Sequence, residues 1–418
     1  MTADPNPLQQ GPRAWLPWLA FLLLGAGVVA GLGYLVMRPM LPPPKAKATA
    51  HGVSSPVPRQ AAPAPERAAA EGGGLITRQR IAQATDRDEL LLIAEAAPVY
   101  RADVETRLAA LGYHRLVKRD AVVWLRSGPD ESFSECVDCP EMAVLPAATF
   151  LMGSPGTEPG RQDDEDDTSG PGGNPVSVTI ATAFAIGKYE ITRGQFAAFV
   201  KATGYRMEPG CFAREGSAQM RPELSWTAPG FEQDDRHPVT CVSWRDAVAY
   251  VQWLSATTGA AYRLLTEAEW EYAARGGSTA RFGFGDTDVD LCKYGNGADL
   301  TSREADPDWR AVLCRDGFRF TAPVGSFKSN AFGLHDMHGN VWEWVEDCQS
   351  DSLAYLSKPV ASGGAAASRS CAADTPRVLR GGSWSDPPQR LRSAARIAGP
   401  PDARDYIVGF RVARTLER

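Results

Sequence analysis

Residues 330–346 read N-A-F-G-L-H-D-M-H-G-N-V-W-E-W-V-E, a run too irregular to be one helix or one strand. Asp336 and Glu343 bring hard anionic oxygens, and Gly339 lets the backbone turn so that carbonyls point inward. From Val341 onward the alternation of Trp342, Glu343 and Trp344 puts both indoles on one face of an extended segment. This inventory fits an oxygen cage of the calcium kind. It also fits a tight turn entering an aromatic-rich core strand, with both carboxylates solvated.

The rest of the chain narrows the choice. With 418 residues and 44% hydrophobic content it can bury one large domain with appendages. A net charge of -6 with scattered Lys and Arg gives no basic stripe, which excludes nucleic acid as a partner. The 40 Gly and 32 Pro predict a loop-rich fold. Eight Cys, spread from Cys136 to Cys371, suit disulfides in an oxidising compartment. Their connectivity stays open, with Cys292–Cys314 and Cys348–Cys371 as neighbour pairings.

After an N-terminal tail (1–13), residues 14–37 carry no charge and reach roughly 36 Å as a helix, against a hydrocarbon core of about 30 Å. Arg13 and Arg38 bracket the run, and Trp15, Trp18 and Tyr34 lie near its ends. It is read as an uncleaved transmembrane helix; Ala48-Thr49-Ala50 leaves a cleaved signal peptide as the rival. Arg38, Lys45 and Lys47 favour a cytoplasmic location for the C-terminal side of the span, whereas the cysteines favour the opposite side. The expectation is a single-pass inner-membrane protein whose C-terminal domain is periplasmic or extracellular. Residues 38–74 form a Pro/Ala-rich linker, 75–135 a small helical region, and 136–418 the main domain.

Within the main domain, Cys136-Val-Asp-Cys139 reads as a redox pair, half a zinc site or a local disulfide. No second C-x-x-C follows, and no thioredoxin-type helix, which favours a structural role. Met142–Gly153 predicts two strands broken at Pro146, and the acidic run Asp163–Asp167 a solvated loop. Three helices are signposted by Thr192 with Gln195 before Gly204, by Ser243 before Gly259, and by Thr266 with Glu269 before Gly276. Trp244, Trp253 and Trp270 on these helices are read as packing. Asn296-Gly297 and Asp316-Gly317-Phe318 offer either a second cation site or two ordinary turns. After Arg377–Asp386, the tails Leu391–Arg396 and Gly409–Arg414 predict alternating strands. Gly381 and Gly382 allow close backbone approach before Ser383, and Arg390, Arg392 and Arg396 bring positive charge nearby.

Taken together, R-L-L-T-E-A-E-W-E-Y-A-A-R (263–275), F-G-L-H-D-M-H-G-N-V-W-E-W (332–344), R-G-G-S-W (380–384) and G-F-R (409–411) resemble the formylglycine-generating enzyme (sulfatase-modifying factor)/PvdO family over about Cys139–Arg414. The resemblance implies an irregular, C-type-lectin-like α+β fold, low in regular secondary structure, with structural calcium. One implied calcium set is Asn296, the Gly297 carbonyl, Asp316 and the Phe318 carbonyl. The other is Asp336, the Gly339 and Val341 carbonyls, and Glu343. The formylglycine-forming members hold copper through two Cys after the Gly-Gly-Ser motif; here the first position is Asp386, and no Cys occurs beyond Cys371. A carboxylate cannot replace a soft thiolate pair, which argues against a redox metal and the copper mechanism. The catalytic residues stay unknown. The cleft is expected around Trp342, Ser383, Trp384 and Asp386, serving a protein-binding or maturation factor for a peptide or protein. The alternative is a PvdO-like oxidoreductase that modifies a periplasmic peptide or protein.

Overall fold

The computed structural model describes residues 78–416, apart from 119–120, 167–172, 216, 306, 308 and 358–370. The tail, the span expected at 14–37 and the linker expected at 38–74 lie outside the described residues. Among the described residues no helix is long and apolar enough to cross a membrane.

Asp86 caps α2 (Arg87–Ala96), which packs with α1 (Arg78–Gln83) and α3 (Arg101–Ala110) around Leu90, Ile93, Val104 and Leu108. The helical region expected at 75–135 then departs from expectation. β1 (Tyr113–Lys118) and β2 (Ala121–Arg126) form an antiparallel hairpin with Leu116 opposite Val123. The β-branched and aromatic run Val122, Val123, Trp124 favours strand over a third helical face.

β3 (Ser132–Phe133) and β4 (Met142–Leu145) begin a five-stranded sheet. β5 (Ala148–Met152) and β6 (Val176–Ile180) make a separate hairpin, after the break expected at Pro146. β7 (Phe184–Gly187) pairs with β4 and leads to α4 (Arg193–Thr203), and a hairpin of β8 (Cys211–Glu215) with β9 (Ser217–Arg221) comes next. Then come α5 (Trp244–Thr258), β10 (Tyr262–Leu264) and α6 (Glu267–Arg275). The helix signals hold: α4, α5 and α6 each carry a full capping box, from Thr192, Ser243 and Thr266. Each stops at a left-handed glycine, Gly204, Gly259 or Gly276.

Beyond α6 only short helices, α7 (Leu291–Tyr294) and α8 (Leu300–Ala305) among them, interrupt the loops before β11 (Trp342–Cys348). β12 (Arg377–Arg380), β13 (Arg396–Gly399), β14 (Val408–Phe410) and β15 (Val412–Thr415) complete the fold. The second sheet runs β13-β12-β11-β14, with β14 parallel to β11, and β15 joins the first sheet between β10 and β7. Adjacent residues of the C-terminal run therefore belong to both sheets.

The two-residue period of β11 sends its side chains to two cores. Trp342 and Trp344 join the cluster with Phe196, Tyr250 and Phe410, while Val345 joins Trp270, Leu265 and Met337. All eight cysteines pair, as Cys136–Cys139, Cys211–Cys241, Cys292–Cys314 and Cys348–Cys371.

Between the layers lies a buried lattice of charge. On α6, Glu271 meets Arg275 and Arg380, and Glu267 receives both Nε (2.7 Å) and Nη2 (3.0 Å) of Arg396. Arg380 also donates to the Ala394 and Ala395 carbonyls at 2.8 and 2.9 Å. The acidic run expected as a solvated loop is drawn into this lattice: Glu165 and Asp166 are fully buried, Glu165 against Arg392 and Asp166 against Arg161. The charge expected from Arg392 and Arg396 at a cleft is consumed here. Unpaired guanidinium groups would be too costly to bury, so carboxylates must accompany them inside.

Replacing Arg380 by Met leaves Glu271 with Arg275 as its remaining counter-charge and is expected to cost about 3–5 kcal/mol, read by urea unfolding. The double variant with Glu271→Gln should recover part of the loss. A second expectation concerns pH. Burial, with Glu267 nearby, pushes the Asp347 carboxyl up to about 7. The native state thus holds a proton that the unfolded state releases near pH 4, and this contribution to stability disappears as pH rises through about 7. Asp347→Asn should therefore gain on the wild type between about pH 4 and 7, by at most about 1.4 kcal/mol per pH unit. Thermal midpoints of both proteins across that range check it.

Candidate functional site

β11 delivers Trp342 and Glu343 in opposite directions, and the turn after β12 delivers Ser383 and Asp386. Trp342 Nε1 donates to Asp386 Oδ2 at 2.8 Å, and the same oxygen accepts Ser383 Oγ at 2.5 Å and the Ser383 amide at 3.1 Å. Asp386 thus stands as the acceptor hub of a small polar knot. Trp342, Ser383 and Trp384 are buried, and Asp386 alone of the four expected cleft residues is partly exposed. Trp384 lies outside the knot, edge-on to Phe320 (5.0 Å) and Tyr406 (5.4 Å). Close by, burial and the charge of Asp386 push the Asp405 carboxyl up to about 7.

A cleft of about 820 Å³ opens beside this aromatic cluster. Phe231 connects the two, since it lines the cleft, stacks on Phe320 at 4.8 Å and meets Trp384 at 5.8 Å. Arg193, Gln233 and His237 supply polar lining. Arg193 Nη1 donates to the Gln233 carbonyl at 2.6 Å, and Gln233 Nε2 to the Pro238 carbonyl and Thr321 Oγ1, each at 3.0 Å. Arg193 Nε, Gln233 Oε1 and His237 Nδ1 are buried without a partner. Burial holds His237 below the ordinary imidazole range. Sequence reasoning missed Gln233 and His237 because 227–237 carries no periodicity or motif, and Arg193 because α4 was legible only in its cap and apolar face.

The first expected calcium set comes together only in part. Asn296 is fully buried; its Nδ2 donates to the Phe320 carbonyl at 2.8 Å, which leaves Oδ1 without a partner. Asp316 Oδ2 accepts the Gly297 amide at 3.3 Å and Oδ1 the Phe318 amide at 2.8 Å. Burial pushes the Asp316 carboxyl up to about 7. Asp299, missed from sequence, places a carboxylate oxygen within 4.8 Å of one from Asp316. The nearby Cys292 sulfur is in a disulfide and offers no thiolate.

In the second set, Asp336 lies in the left-handed region at φ 61°. Its Oδ2 accepts the Gly325 amide at 2.7 Å, and its buried Oδ1 has no partner. Glu343 is engaged on both oxygens, by Arg411 at 2.8–3.0 Å and by Trp270 Nε1 at 2.7 Å. Glu190, also missed from sequence, is buried beside them and accepts Asn340 Nδ2 at 2.8 Å and the Val341 amide at 3.3 Å. Burial first, then Asp336 and Glu343, push Glu190 well above the ordinary carboxylate range. Three buried carboxylates thus face one guanidinium. Gly339 holds the two sets together, because a Cβ there would sit 1.9 Å from the Asn296 carbonyl oxygen, the acceptor of the Asn340 amide. The two orphaned acceptors, Asn296 Oδ1 and Asp336 Oδ1, and the close carboxylates of Asp299 and Asp316 fit a hard cation such as calcium, whereas both Glu343 oxygens are already taken by Arg411 and Trp270.

Copper does not fit. The position expected to carry its first thiolate is the hard carboxylate of Asp386, already engaged by Trp342 and Ser383, and every cysteine is in a disulfide.

Residues 129–416 match the family model described as a sulfatase-modifying factor enzyme 1-like domain. The chain is 33% identical to the formylglycine-generating enzyme of Thermomonospora curvata, an alignment covering 65% of this chain and 92% of that one. It is 28% identical to the inactive C-alpha-formylglycine-generating enzyme 2 of Mus musculus, over 71% of this chain and 92% of that one. Its fold matches the structure of PvdO from Pseudomonas aeruginosa with a TM-score of 0.56 and 39% identity, over 69% of this chain and 99% of that one.

Asp386→Leu removes the acceptor shared by Trp342 and Ser383. Leaving those donors buried and unpaired is expected to cost about 1–3 kcal/mol, whereas Asp386→Asn, which keeps one acceptor oxygen, should cost less. Chemical denaturation of the two variants checks the order.

Proposed function

The chain belongs to the sulfatase-modifying factor enzyme 1-like family, with PvdO among its structural relatives, and from that premise we propose that it is a protein-binding or maturation factor without copper chemistry. In this reading the N-terminal span anchors it in the membrane, and the domain works in an oxidising space outside the cytoplasm. The observation that carries the proposal is Asp386, a hydrogen-bonded acceptor where copper chemistry needs a soft sulfur. The complete pairing of the cysteines supports the oxidising compartment. The similarity to a relative described as inactive also supports a family member without that oxidation. The cleft at Phe231, Arg193 and His237 is where a peptide or protein segment would lie, with Phe320 and Trp384 packed against Phe231.

The second reading, a PvdO-like oxidoreductase acting on a periplasmic peptide or protein, is favoured by the 39% identity to PvdO. Anaerobic copper and iron titration of the purified full-length chain, with oxygen uptake measured afterwards, separates the two. The binding reading expects no stoichiometric redox metal and no oxygen consumption. Stoichiometric metal with oxygen uptake would overturn it.

Calcium in this reading is structural, held through Asn296, Gly297, Asp316 and Phe318, and through Asp336, Gly339, Val341 and Glu343, with Glu190 and Asp299 beside them. Chelation is expected to lower the thermal midpoint by roughly 5–10 °C, and added calcium to restore it. An unchanged midpoint together with calcium-free protein would remove calcium from the account.

A further inference from the structure

Three of the four disulfides join segments 22, 23 or 30 residues apart, and each therefore restrains a sizeable loop. Cys136–Cys139 spans three positions inside the β3–β4 connection, at the free edge of the five-stranded sheet. A loop that short removes the least chain entropy, so its structural contribution is the smallest of the four. The turn is also closed without it, since the Cys139 amide donates to the Cys136 carbonyl at 3.2 Å. Opening this bond separates no distant parts of the fold.

The two cysteines are placed unequally. Cys139 is 4% exposed and belongs to the main core cluster, whereas Cys136 is only half-buried. Between them Val137 is fully exposed, an apolar side chain with no packing role of its own. A half-buried cysteine at the margin of the core, a sheltered second cysteine and an apolar contact point beside them are what a disulfide needs to meet a protein thiol.

We infer that Cys136–Cys139 is a thiol-exchange site that accepts electrons from a dithiol protein. The partner's thiolate attacks Cys136 Sγ, the Cys136–Cys139 bond breaks, and Cys139 leaves as a thiolate that takes up a proton. The partner's second thiol then attacks its own sulfur in the mixed disulfide and releases Cys136 as a thiol. Two electrons and two protons pass to the pair, and the partner leaves as a disulfide. The reverse sequence closes the pair again, with Cys139 already in place as the resolving thiol. The inference does not depend on what occupies the cleft.

The test uses the purified full-length chain and a thioredoxin lacking its resolving cysteine, which traps the mixed disulfide, with tryptic mass mapping of the adduct. The expected result is an adduct on Cys136, with the other three disulfides intact. Titration with dithiothreitol should reduce Cys136–Cys139 at least about tenfold faster than the others, without change in the circular dichroism spectrum. In single variants, Cys139→Ser should leave a Cys136 thiol that maleimide labels quickly, and Cys136→Ser a Cys139 thiol labelled slowly until the chain is unfolded. An adduct on Cys139, an adduct at another disulfide first, or reduction only together with unfolding would overturn the inference.

Discussion

The fold depends on a lattice of buried carboxylates and guanidinium groups. Glu267 and Glu271 project from α6 into the space behind the second sheet, where Arg380 from β12, Arg396 from β13 and Arg275 from α6 itself close on them. Arg392 and Glu165 extend the lattice into the loop after β5. Taking such groups out of water is costly, and their mutual attraction offsets that cost only when every partner is in place. The lattice therefore gives specificity: one arrangement of the loops satisfies all the charges, and alternatives strand some of them. A chain with few long regular elements needs such a device, because helix and strand periodicity alone cannot choose among its loop conformations.

The same logic joins the family motifs to one another. Glu343 of β11 receives Arg411 and Trp270, so three segments far apart in sequence meet at one carboxylate. Residues that identify the family are largely those that hold its architecture. The knot around Asp386 and the cleft beside Phe231, where the proposed function is placed, sit at the margin of that framework. The framework does not dictate the residues of that loop, where Asp386 accepts from Trp342 and Ser383.

Local signals were legible where physics is local. The capping boxes at Thr192 and Thr266, the cap at Ser243 and the stop glycines bounded three helices, since a cap is a contact across three residues. The alternation along β11 was legible for the same reason. The acidic run read as a solvated loop, and the strands at Tyr113–Arg126 read as part of a helical region, because the partners that decide them lie elsewhere. Glu165 is buried because Arg392 is, 227 residues away. Within the site, Asp336, Glu343, Asn296 and Asp316 were visible as hard oxygens near glycine. Glu190, Asp299 and the cleft residues Arg193 and His237 were not, since each is an ordinary residue until the fold surrounds it.

By itself the sequence determined the family, the hard-oxygen character of the expected cation sites and the loss of the copper thiolate position. All three are matters of residue type and order. Tertiary structure decided that Trp342, Ser383 and Trp384 are buried rather than lining a wall, that Arg392 and Arg396 face carboxylates rather than a cleft, and that Cys136–Cys139 alone closes no long loop. Exposure and pairing are properties of three-dimensional neighbours, and the free energy of burying a charge or a sulfur depends on what packs against it.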